Sequence, residues 1–213
     1  MSTRTVILAR HGETELNRLG SVQGSGVDPA LNGVGQAQAR ALYEHLDGKI
    51  DFVVSSGMVR ANETAQRFLD AGIRSGMEED FREICWGSHE GKVATDALRK
   101  EYQSLITRWE EGHLDACIGG GGESAQQLGD RVWQGWQRLV GKDFSTALVV
   151  MHGRALRALV CLLDKQSLSA MNAYAHGNAA YYRVVEKAGV WELENHLITE
   201  HLDSLQAQET SGS

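Results

Sequence analysis

The chain has 213 residues, 42% of them apolar and 23% charged, enough for one substantial domain with a full core. A net charge of −7 and a pI of about 5.6 exclude a general nucleic-acid or anionic-membrane binder, so any anion site must be a local basic pocket in an acidic body. No apolar run approaches the roughly 20 residues that span a bilayer, and Met1 to Thr5 lead into no signal-peptide pattern.

Thr5 to Ala9 reads as a buried strand that ends on Arg10-His11-Gly12. Residues 15 to 30 hold Gly20, Gly24, Gly26 and the only proline, Pro29, and read as a loop folded over that strand end. Asn32 offers an N-cap for a helix carrying Val34, Ala37, Ala41 and Leu42, with Gly48 as its stop. Asp51 to Ser56 is a second strand, followed by a helix with Ala61, Ala65, Phe68 and Leu69 on one face and Gly72 at its end. Met77 to Ile84 is expected to be a short strand and its exit. Val93 to Glu111 predicts a longer, charged helix.

The run Gly119 to Gly122 is too short to separate domains and is expected to be a mobile loop near the site. A helix with Leu128, Val132, Leu139 and Val140 follows. Thr146 to Met151 is the clearest strand; it ends on His152-Gly153-Arg154 and passes at once into a helix with Leu156, Leu159, Val160 and Leu163. Tyr181 to Val185 and Val190 to Leu193 form a hairpin around Ala188-Gly189, and residues 204–213 are expected to be a disordered tail. Strands alternating with helices predict a three-layer α/β/α domain with a largely parallel sheet, spanning residues 1–203, with a lid or insertion at about 85–122.

The three cysteines, Cys85, Cys117 and Cys161, form no CxxC pair, so neither a disulfide framework nor a zinc site is expected. A reducing cytoplasm is the simplest setting, with Cys161 in the core. Oligomeric state is not legible, since Trp133 and Trp136 fit core packing or an interface alike.

Three strands thus end in one kind of chemistry: Arg10-His11-Gly12, Ser55-Ser56 with Arg60 close behind, and His152-Gly153-Arg154. If those ends are neighbours, imidazoles and guanidiniums converge on one small volume. Guanidinium forks match phosphate oxygens and keep their charge, while Gly12 and Gly153 permit close approach.

These motifs resemble those of the histidine phosphatase superfamily, the phosphoglycerate mutase-like family. Arg10-His11-Gly12-Glu13-Thr14 with Asn17 is similar to its nucleophile motif, and Gln23-Gly24 onward to its glycine-containing segment. Ser55-Ser56-Gly57-Met58-Val59-Arg60-Ala61-Asn62-Glu63-Thr64-Ala65 resembles its second-arginine motif, with Gly57 where proline is usual. Glu83 through Gly87 to Glu90-Gly91, Gly121 to Ser124, and His152 to Arg157 complete the order.

The resemblance implies that His11 is a nucleophile forming a phosphohistidine, kept neutral by the positive charge of Arg10 and Arg60. Arg10, Arg60 and His152 would bind the nonbridging oxygens. Glu83 would be the general acid and then the base, with Glu90, Glu79 and Asp80 as competitors for that role. No metal or cofactor is implied. Asn17, Thr14, Gln23, Gly24 and Gly153 are secondary substrate contacts, although local loop hydrogen bonds also account for Asn17 and Thr14. Arg154 either reads a second anionic group or faces outward. His89, His113 and His176 read as surface or structural residues.

Phosphoglycerate mutases of this family carry adjacent arginines in a longer middle segment, whereas Lys92, Arg99, Lys100 and Arg108 are separated here. The expected activity is therefore metal-independent phosphomonoester hydrolysis of a small phosphorylated metabolite. A phosphoglycerate mutase-type transfer is the first alternative. An inactive module that binds a phospho-ligand or a protein is the second.

Overall fold

A computed structural model describes residues 3–93, 95–203 and 205. The expected tail, 204–213, lies outside the described residues apart from Leu205.

Strands β1 (Thr5–Arg10), β2 (Phe52–Ser55), β3 (Arg74–Met77), β4 (Thr146–Met151), β5 (Tyr181–Lys187) and β6 (Val190–Ile198) form one sheet in the order β3-β2-β4-β1-β5-β6. The first four are mutually parallel, and β5 and β6 add as an antiparallel hairpin. The expected largely parallel α/β sheet is what the chain forms.

The central strands alternate between two covered faces, which is why they read as continuous apolar runs. Ile7, Ala9, Val53, Leu148 and Val150 pack beneath α2 (Gly33–Leu46) and α3 (Val59–Asp70), through Leu42, Leu46, Ala61, Ala65 and Phe68. Val6, Leu8, Val54, Ala147, Val149 and Met151 face the other way, toward α5 (Ala125–Val140) and α6 (Gly153–Leu163). Asn32 caps α2 by accepting from Gly35 N at 2.8 Å, and Ser124 and Gln127 form a reciprocal capping box on α5.

Three local expectations are revised. The loop after β1 contains a short helix, α1 (Glu15–Arg18), capped by Thr14 with Asn17 returning the bond. No strand spans 77–84: β3 lies earlier, and a 3-10 turn occupies Glu79–Phe81, because the Glu78 side chain accepts from Asp80 N and three successive acids suit a cap better than a strand. The charged helix, α4 (Asp96–Glu110), starts three residues later than expected, where Thr95 accepts from Leu98 N.

Helix α4 does not stand apart from the domain. Leu105, Ile106 and Trp109 join the α5/α6 core, and Trp86 stacks on Trp109 with ring centroids 6.2 Å apart. The glycine run packs against Trp86-Gly87, where a Cβ on Gly87 (φ +56°) would lie 2.6 Å from the Gly120 carbonyl oxygen. Close backbone approach explains Gly87, Gly119 and Gly122, where an added Cβ would meet a carbonyl oxygen, whereas at Gly120 and Gly121 it would meet nothing within 4 Å. Among the described residues, no helix is long and apolar enough to cross a membrane.

Candidate active site

Because β2, β4 and β1 are neighbours, their carboxyl ends lie side by side, where ligands bind in open α/β sheets. Arg10 pairs with Met151 and Ser55 with Val150, so His11, His152 and Ser56 emerge at one level. The His11 and His152 ring centroids are 5.1 Å apart. The convergence expected from the three strand ends is present.

His11 is 1% exposed. Its Nδ1 lies 2.6 Å from the Gly12 carbonyl, which can only accept, so Nδ1 carries the proton and Nε2 holds the free lone pair. Burial, then Arg10 and Arg60, hold its pKa well below the ordinary imidazole value. The neutral form that attacks an electrophile is therefore the resting form. The main chain around it is pinned by Gly12 N donating to Thr64 Oγ1 at 2.9 Å, and by Asn178 Nδ2 donating to the His11 carbonyl at 3.0 Å.

His152 is fixed in the opposite tautomer. Arg60 Nε donates to its Nδ1 at 3.2 Å, so its proton sits on Nε2, which meets Ser56 Oγ at 2.7 Å. Burial and Arg60 push its pKa well down. Both nitrogens are engaged, so contact with a substrate oxygen requires exchange of the Ser56 bond. Arg60, fully buried, also donates to the carbonyls of Gly24 and Val27 and to Asp28, and so holds the 24–28 loop against the strand ends.

Arg10 donates to the His176 carbonyl at 2.8 Å, while its Nε is buried with no partner among the described residues. Burial lowers its pKa to about 10, which leaves it charged at neutral pH. An unpartnered buried guanidinium N–H is a donor awaiting an acceptor.

Glu83 sits at the amino terminus of α6. Its Oε1 accepts from the Ile84, Arg154 and Ala155 amides at 2.9, 3.1 and 3.1 Å, whereas Oε2 accepts only from Arg154 N. Oε2 is thus the oxygen left to exchange a proton. The competitors are committed elsewhere: Glu90 accepts from Trp86 N and Gly26 N, Asp80 pairs with Arg138, and Glu79 lies near Arg82.

A cavity of about 480 Å³ opens beside this cluster, lined among others by Arg10, Gln23, Glu83, Trp86, Tyr102, Gly153, Arg154 and His176. Gln23, Gly153 and Arg154 thus reach it. Thr14 and Asn17 are spent on the α1 cap and on each other, with Thr14 Oγ1 also donating to Gln23. Gly24 serves through its carbonyl and through space, since a Cβ there would strike Glu90. Arg154 does not face outward: its guanidinium is buried against Tyr102 and Asn172.

Two contributors escaped the sequence reading. His176 is not on the surface, for its ring abuts Gly153 in the cavity wall and its pKa falls to about 3 through burial and Arg10. Arg131 makes a two-pronged pair with Glu123 at 2.6 and 2.8 Å and donates to the carbonyls of Asp80, Arg82 and Glu83. It fastens the segment that carries Glu83. Glu123, just before the Ser124 cap, precedes Arg131 by eight residues, about two helical turns, and that spacing was the available signal. Among the described residues, no cluster of three His, Cys, Asp or Glu side chains could hold a metal ion.

Comparison with known proteins agrees with this geometry. The model of the histidine phosphatase superfamily (branch 1) matches residues 6–199. The chain belongs to the histidine phosphatase superfamily. Among curated relatives of this superfamily, a 2,3-bisphosphoglycerate-dependent phosphoglycerate mutase from Brucella canis is 31% identical over 172 residues, which is 76% of this chain and 82% of the relative. Phosphoserine phosphatase from Entamoeba histolytica, solved with 3-phosphoglyceric acid, has a TM-score of 0.79 at 25% identity, covering 93% of this chain and 99% of that one. Bacillus stearothermophilus YhfR shares the fold with a TM-score of 0.81 at 24% identity, covering 94% of this chain and 100% of its own. Histidine phosphatase relatives thus include both hydrolases and mutases.

Proposed function

We propose that the protein hydrolyses small phosphomonoesters in the cytoplasm through a phosphohistidine at His11, without a metal. The observation that carries this reading is the state of His11: buried, neutral under the influence of Arg10 and Arg60, with Nδ1–H tied to the Gly12 carbonyl and the lone pair left on Nε2. In the first step Nε2 bonds to phosphorus, the phosphorus–oxygen bond to the alcohol breaks, and Glu83 Oε2 supplies the proton that the alcohol takes. Water then attacks phosphorus, gives its proton to Glu83, and releases inorganic phosphate from His11. Arg10, with its unpartnered Nε, meets the charge that gathers on the nonbridging oxygens.

Mutase chemistry is the second reading, favoured by the Brucella relative. It would return the phosphoryl group to a second alcohol instead of to water. The two separate in one assay series. Steady phosphate release from p-nitrophenyl phosphate in the presence of a chelator, lost by a factor of about 10³ or more in His11→Ala, is the expected result. Interconversion of phosphoglycerates that requires 2,3-bisphosphoglycerate, with negligible phosphate release, would replace the hydrolase by the mutase. Binding of phosphorylated ligands with neither reaction would leave only a binding module.

A further inference from the structure

We infer that Arg154 anchors a second anion subsite, so that the preferred substrate is a phosphomonoester whose leaving alcohol itself carries a carboxylate or a second phosphate. This rests on the proposed phosphoryl site at His11 and extends it to the far side of Glu83.

Arg154 is only 6% exposed, yet no carboxylate among the described residues lies within ion-pair distance of its guanidinium. Its side-chain partners are neutral, the Tyr102 hydroxyl and the Asn172 side-chain oxygen, and its guanidinium carbon lies 5.9 and 5.7 Å from the Tyr102 and Trp109 ring centroids. A buried charge without a counter-ion is costly unless a ligand completes it. Two of its five N–H groups make these hydrogen bonds, which leaves donors to spare.

Nearby charge makes the deficit larger. Arg157, one helical turn after His152 and Gly153, is partly buried and donates to the Tyr174 carbonyl, again without a carboxylate partner among the described residues. The ring of His176 on the same wall is kept neutral by burial and by Arg10, Arg157 and Arg154 together. Among the described residues, Glu83 is the one acid lining the cavity. A phosphoryl group would answer Arg10; among the described residues no carboxylate answers Arg154.

Position gives the surplus its meaning. The amide of Arg154 touches the Glu83 carboxylate, while its guanidinium reaches into the same cavity toward Tyr102 of α4. An alcohol protonated by Glu83 therefore leaves toward Arg154. A fixed guanidinium fork there distinguishes an anionic leaving group from a neutral one of equal size.

Binding of matched phosphonates to the intact protein tests this without turnover. Calorimetry would compare 3-phosphonopropionate with propylphosphonate, which differ only in carboxylate against methyl, and 1,3-propanebisphosphonate would show whether carboxylate or phosphate is the better second group. The wild-type protein is expected to bind the better of the two ligands that carry a second anionic group at least about tenfold more tightly than propylphosphonate. That ratio should fall to within about twofold in Arg154→Met, survive in part in Arg154→Lys, and persist in Arg99→Gln at the cavity mouth. If the methionine variant does not fold, Arg154→Gln, which keeps a donor for Tyr102, takes its place. Equal binding by the wild type, a ratio untouched by loss of Arg154, or a ratio that follows Arg99 would each overturn the inference. Unequal binding by a protein that releases no phosphate from esters would keep the subsite and remove the hydrolase reading; brisk hydrolysis with equal binding would do the reverse.

Discussion

Two histidines 5.1 Å apart are given different tasks by their hydrogen bonds. His11 donates from Nδ1 to a carbonyl and keeps Nε2 free, whereas His152 accepts at Nδ1 from Arg60 and spends its Nε2 proton on Ser56. Glu83 is likewise divided, with Oε1 carrying three amide bonds and Oε2 one. If Oε2 moves the proton, Glu83→Gln should slow hydrolysis of alkyl phosphates by about 10²–10⁴, because an alkoxide is a poor leaving group without a proton. In the first, phosphoryl-transfer step the same variant should lose far less on p-nitrophenyl phosphate, whose leaving group departs as a stable anion. Rapid-quench measurement of that step on the two substrates reads the difference, since the later attack of water uses Glu83 with both; equal losses in it would remove Glu83 from the acid role.

At the scale of elements, the strand ends do what local sequence can announce. Arg10-His11, Ser55-Ser56 and His152-Gly153 each follow an apolar run, so their placement at one sheet edge was legible once the strands were recognised as parallel. The supports of Glu83 were not legible, because they come from other parts of the chain. Arg131 reaches back 48 residues to the Glu83 carbonyl, and the α6 amides that hold its carboxylate lie 71 and 72 residues ahead. His176 misled for the same reason: an isolated histidine after β4 has no local pattern, and its role follows from an approach to Gly153 that only the fold creates. Arg131→Gln should therefore loosen the acid segment. A stability loss of about 2–4 kcal/mol in urea unfolding is expected, since Glu123 and three carbonyls lose their donor, together with a larger fall in kcat than rise in KM. An unchanged kcat would show that Glu83 is held well enough by α6 alone.

For the molecule as a whole, burying neutral imidazoles ties stability to pH. His11 and His152 bind protons far less readily folded than unfolded, where imidazole titrates near 6.5. Below that value the unfolded chain takes up protons that the folded one refuses, so stability is lost as pH falls and is regained as pH rises toward neutrality. Each such histidine contributes a slope of about 1.4 kcal/mol per pH unit, and His176 acts in the same direction. Urea midpoints should drop steadily from pH 7 to pH 5; a flat profile would mean that these rings are charged in the fold. The same neutrality is what the proposed chemistry requires of His11, and the phosphorylated protein is where it is best examined. Rapid acid-free quenching during turnover of a phosphomonoester, followed by peptide mapping, is expected to find an alkali-stable, acid-labile phosphoryl group on His11 that is absent from His11→Ala. Turnover with no phosphoryl group on His11, or with one on another residue, would contradict the mechanism at its centre.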